Sequence, residues 1–122
     1  MSFQVPNRIR RIVEHLSASN PRRIYLFGSW ARKEADGSSD VALVVIMDSE
    51  IPFVERCVAL GRLLPAGVGG VDMPAYTPAE FDKMLCDGNP FAEMIIEEGK
   101  VIYERGQKYR GWKMVPAPIL WP

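Results

Sequence analysis

The chain is poor in what several catalytic strategies require. One histidine, His15, stands among 122 residues. It sits beside Glu14 in a helical pattern and has no suitable partner, so a serine–histidine triad has no support. Two cysteines, Cys57 and Cys86, fit no metal-ligand spacing and no redox motif; they read as thiols of a reducing compartment. Neither sign of charge is in excess: 15 Lys and Arg balance 15 Asp and Glu. No global field therefore draws the chain to nucleic acid or to a membrane surface. The arginines Arg8, Arg10, Arg11, Arg22 and Arg23 read as solvated faces, with RNA or an acidic partner as the lesser alternative. The longest apolar run, Val41–Met47, is too short to span a bilayer. The opening "MSFQVPNRIRR" lacks the apolar segment of a signal peptide. A soluble cytoplasmic protein is the expectation, with no membrane partner and no nucleic acid.

What is present is ordinary for a globular domain: 48% apolar and 25% charged residues. The length fits a single domain, residues 1–122, that can bury a core without staples. No internal repeat interrupts it. Ile9, Ile12, Val13 and Leu16 recur at helical spacing, with Asn7 as the expected cap and Asn20-Pro21 as the stop. "RRIYLF" reads as a strand, "SWARKEA" as a short helix, "ADGSS" as a loop, and "DVALVVIM" as a strand buried on both faces. "IPFVERCVALGRLL" reads as an amphipathic helix and "PAGVGG" as a flexible loop. "VDMPAY" reads as a third strand, its Pro74 marking an edge or an end. "TPAEFDKML" opens with a capping box of Thr77 and Glu80. "NPFAEMIIEEG" carries Asn89 as cap and Gly99 as stop, and "KVIYE" is a last strand. The order is α-β-(short α)-β-α-β-α-α-β. This is an α/β or α+β domain with a small mixed sheet flanked by helices. Residues 105–122 form an apolar, proline-rich tail; its Trp112, Ile119, Leu120 and Trp121 are expected to meet protein, either this domain or a second chain.

The stretch "LFGSWARKEADGSSDVALVVI" carries the chemistry. Gly28 follows a strand and lets backbone approach a ligand closely. Ser29 opens the next helix, where free N–H groups favour an anion. Asp40 stands where the second strand begins, and on a strand residue 42 faces the same way. A third carboxylate, Asp72, lies in the next strand. Carboxylates on two neighbouring strands can hold Mg²⁺. A pair of such ions clamps the attacking and leaving oxygens of a phosphoryl transfer.

These residues resemble the minimal nucleotidyltransferase family of the DNA polymerase beta superfamily. Its pattern is Gly-Ser, ten residues, Asp-x-Asp, and a further Asp on a later strand. Gly28-Ser29, the ten residues Trp30 to Ser39, Asp40 and Asp72 match in register. The likeness extends over roughly Arg22 to Glu104. It implies a polymerase-beta-type fold that binds ATP through Mg²⁺ at Gly28-Ser29 and transfers the nucleoside monophosphate to a hydroxyl, releasing pyrophosphate. Asp40 would bind both metals. Asp72 would bind the catalytic metal and help deprotonate the acceptor. Arg32 and Lys33 would face the triphosphate, Lys33 standing where the family often has glycine.

One departure is large. Ala42 occupies the place of the family's second Asp, and a methyl group ligates no metal. Losing a direct ligand of a catalytic metal costs on the order of a thousandfold in rate. Asp48 is no substitute, lying roughly 20 Å from residue 42 along the strand at about 3.3 Å per residue. Asp36 and Glu34 would need a rearrangement of their loop. Natural loss and deliberate replacement of this Asp predict the same handicap. Small members of the family are often encoded beside a helical partner called HEPN. The resemblance thus implies an antitoxin-like enzyme that places AMP on a hydroxyl of a HEPN-type toxin, weak or inactive as the sequence stands. The alternative is an inactive binding module that neutralises its partner by direct contact. Self-association is the other expected partnership.

Overall fold

The computed structural model describes residues 6–36 and 38–105. The expectations for the tail beyond Arg105 lie outside the described residues. Helix α1 (Asn7–Leu16) forms where the helical spacing placed it, and Ile9, Ile12, Val13 and Leu16 are fully buried. Its N-cap is Pro6, without a side-chain cap, so Asn7 is the first helical residue and not the cap. Strand β1 (Arg23–Phe27) pairs antiparallel with β2 (Val41–Ile46). Helix α2 (Phe53–Gly61) follows, shorter than the periodicity implied, with Gly61 as its last residue.

The segment read as one third strand is two. Strands β3 (Val71–Asp72) and β4 (Ala75–Tyr76) both pair parallel with β2. Pro74 lies between them; lacking an N–H, it still offers its carbonyl to Val45 N at 3.0 Å. Helix α3 (Pro78–Cys86) opens on the full capping box of Thr77 and Glu80. In α4 (Pro90–Glu98) the Asn89 side chain accepts from Phe91 N and Ala92 N. Strand β5 (Lys100–Glu104) returns antiparallel along β1. The mixed sheet runs β3-β2-β1-β5, with β4 also on β2.

Both faces of β2 are covered, which explains its apolar run. Val41, Leu43 and Val45 belong to the core with α1 and Leu60 of α2. Val44 and Ile46 belong to the core with Phe81, Ala92 and Ile95 of α3 and α4. Parity then assigns sides: Ala42 faces the same way as Val44. Val71 and Met73 pack into the α1 core, which turns Asp72 to the Ala42 side. Among the described residues no helix is long and apolar enough to cross a membrane.

Candidate functional site

β1 ends where β2 begins, because the two are antiparallel: Phe27 is the partner of Ala42. Gly28 leaves β1 with φ +78°, a left-handed conformation that costs any residue with a Cβ. A Cβ built on Gly28 would lie 3.5 Å from that of Ala42, so this turn sits directly against residue 42. The expected helix after it does not form. A single 3₁₀ turn, Gly28–Trp30, is followed by turns in which Arg32 N donates to Gly28 O at 3.1 Å and Glu34 N to Ser29 O at 2.8 Å. Lys33 ends the run at φ +62°. That left-handed geometry is why glycine suits this position. A left-handed residue leading into a right-handed turn makes a concavity of N–H groups suited to an anion. Ser29 is half-buried in this turn.

The carboxylates come from the neighbouring strands. Ala42 and Asp72 are direct partners in the parallel β2–β3 pairing, with side chains on one face. Asp40, exposed, precedes β2, and its carboxylate occupies the space beside Gly70; a Cβ on Gly70 would lie 2.8 Å from Asp40 Cγ. The Gly28–Ser29 turn, Asp40, position 42 and Asp72 therefore share one end of the sheet. Mg²⁺ binds through one or two carboxylates with waters and substrate phosphates. Asp40 and Asp72 are the candidate carboxylates for such an ion, position 42 offers no third, and among the described residues no group of three or more His, Cys, Asp or Glu gathers as a metal site.

The acids weighed as substitutes for position 42 have other partners. Asp36 accepts from Ser38 N and Ser38 Oγ at 2.8 and 2.7 Å, bonds that hold its carboxyl below the usual range. Glu34 pairs with Arg32 at 2.9 Å, both exposed. Asp48 binds Arg22 and Arg105 at the opposite end of the sheet. His15 is exposed, its Nδ1 2.8 Å from Arg11 O.

Several contributors at this end carried little signal in the sequence. "PAGVGG", expected to be a flexible loop, is anchored: Val68 is buried, and Arg8 of α1 donates to Val68 O, Ser39 O and Gly70 O at 2.7, 2.6 and 3.1 Å. Trp30 Nε1 also donates to Ser39 O, at 3.2 Å, and the Arg8 guanidinium lies 5.7 Å from the Trp30 ring centroid. The paired glycines just before Val71-Asp72 were the readable hint.

The family model for polymerase beta nucleotidyltransferases matches residues 7–108. The chain belongs to this family. A search of curated proteins finds no match. Among solved structures it is similar to a candidate nucleotidyltransferase from Sulfolobus solfataricus, at 21% identity and TM-score 0.57, covering 84% of this chain and 88% of that one. It is also similar to a toxin–antitoxin structure with AMP-PNP, at 22% identity and TM-score 0.57, covering 84% and 77%. A mutant of the toxin–antitoxin pair MntA-HpeT matches at 21% identity and TM-score 0.53, covering 84% and 76%. At these identities the likenesses establish the fold alone, and this family member shares the mixed sheet and flanking helices of a nucleotidyltransferase.

Proposed function

We propose that the chain is the frame of a Mg²⁺-dependent nucleotidyltransferase of antitoxin type, which transfers AMP from ATP to a hydroxyl of a protein partner and is disabled at Ala42. The carrying observation is register: Ala42 and Asp72 are partners across β2 and β3, beside the turn at Gly28. Family membership supports the reaction class, and the toxin–antitoxin neighbours, one with AMP-PNP, support the partner class and the nucleotide.

In this reading the N–H groups of the Gly28–Ser29 turn hold the triphosphate oxygens, with Arg32 and Lys33 close behind. Asp40 and Asp72 would supply the oxygens that hold Mg²⁺, and the chemistry supplied would be charge neutralisation at the phosphates. Asp72 accepts the proton of the attacking hydroxyl. The new O–P bond forms at the α-phosphorus while the bond to pyrophosphate breaks. With alanine at 42, two carboxylates rather than three would be left to hold metal. The partner is a HEPN-type toxin or a second copy of the chain, and the compartment is the cytoplasm. The rival reading is a binding module that kept the fold and lost the chemistry, and the methyl at 42 is what favours it.

The test uses α-phosphate-labelled ATP, Mg²⁺ and the candidate partner. Label transfer by Ala42→Asp, on the order of a thousandfold above the unaltered chain, supports the disabled enzyme. Equal transfer by both chains would refute the reading of position 42. Transfer by neither, with tight binding of the partner, supports the binding module.

A further inference from the structure

The Arg8 side chain touches three segments that carry candidate site residues, and the fold makes room for it. Its guanidinium donates to the carbonyl of Ser39, the residue before Asp40. It donates to Gly70 O, whose carbonyl also receives Val41 N at 3.0 Å, the first rung of the β2–β3 ladder. It lies against Trp30, which belongs to the turn that opens at Gly28. The two adjacent glycines divide the space between them. A Cβ on Gly69, at φ +87°, would lie 2.6 Å from the Arg8 terminal nitrogen. A Cβ on Gly70 would overlap the Asp40 carboxylate. One glycine admits the arginine and the next admits the acid.

We propose that Arg8 is a positioning residue, which fixes Asp40, Asp72 and the Gly28–Ser29 turn in register by holding the first rung between β2 and β3. The proposal rests on the reading of Asp40 and Asp72 as metal-binding acids. A planar fork with several fixed donors suits three carbonyls from two segments; an ammonium offers one point of charge. Groups that orient metal ligands in this way change metal affinity about 10–100-fold when removed.

The experiment compares Arg8→Met, which keeps the apolar stem packed, and Arg8→Lys with the unaltered chain. Amide hydrogen exchange is read at Val41 and at Val45; Val45 N donates to Pro74 O at 3.0 Å further along the same strand. Mn²⁺ affinity is read by calorimetry. The expected result is exchange at Val41 at least about tenfold faster with Val45 little changed, and Mn²⁺ affinity about tenfold weaker. Arg8→Lys falls between the other two. Equal acceleration at Val41 and Val45, or none at either, overturns the proposal, because Arg8 then serves general stability. Unchanged Mn²⁺ affinity with faster exchange at Val41 also overturns it. If the unaltered chain binds no Mn²⁺, the metal reading of Asp40 and Asp72 fails, and the Val41–Val45 comparison alone decides whether Arg8 holds the rung.

Discussion

At position 42 a half-buried methyl group lies between the turn at Gly28 and the partner residue Asp72. Restoring a carboxylate there places it near two others, and like charges at close range oppose one another. Ala42→Asp is therefore expected to melt lower than the unaltered chain without metal, by about 1 kcal/mol of stability, and to regain that loss when Mg²⁺ binds. Thermal unfolding with and without Mg²⁺ checks both halves. Lys33 offers a second residue-scale test. Its φ of +62° costs a residue with a Cβ roughly 1 kcal/mol, and Lys33→Gly is expected to raise stability by about 0.5–1 kcal/mol, read as a higher melting temperature. The structure gives Trp30 a post, its indole bound to Ser39 O beside Asp40. A tryptophan's partner across a loop has no periodic signature, so that contact was invisible from residue types alone.

At the scale of elements, Arg56 of α2 is nearly fully buried and ties three segments together. It donates to Ala75 O of β4 at 2.8 Å, to Ile51 O at 2.9 Å, and to Glu80 of α3 at 2.7 Å. Arg56→Met would leave a buried carbonyl without its donor and Glu80 with only its Thr77 N bond, an expected loss of about 2–3 kcal/mol in denaturant unfolding. The bond from Arg56, joined by Thr77 N, holds the Glu80 carboxyl below its ordinary value. The sign follows: this contribution is full above the unfolded value near ~4.3, and is lost as pH falls through the lower folded value. Glu80→Gln should flatten that acid-side loss in a series of melts. Elements written in local rules were legible: the capping box at Thr77, the Asn89 cap and the apolar face of α1. The helix expected after Ser29 was not, because Gly28 and Lys33, both left-handed, bracket a stretch whose residues otherwise favour helix. The split of "VDMPAY" turned on Pro74, whose missing N–H marks the break but leaves open which strand each half would join.

Over the whole molecule, two ends of one sheet have different characters. At one end Gly28, Asp40, Ala42 and Asp72 meet. At the other, a cavity of about 370 Å³ lies among Arg22, Arg23, Tyr25, Phe81 and Leu85. The motif spacing made the first end legible in the sequence, with Asp40 at the entry of β2 and residue 42 two further on; Asp40 precedes the strand itself, and its contact with Gly70 fixes its place. The parallel pairing that brings Asp72 beside them is a long-range fact, which local pattern does not carry. The most direct test is diffraction from crystals of the unaltered chain and of Ala42→Asp, each grown with Mn²⁺ and a non-hydrolysable ATP analogue, with anomalous scattering locating the manganese. The expected result is the triphosphate on the Gly28–Ser29 turn in both, with one manganese between Asp40 and Asp72 in the unaltered chain and two in Ala42→Asp. A nucleotide seated in the cavity at Tyr25 and Phe81, or manganese absent from Asp40 and Asp72 in both crystals, would contradict it.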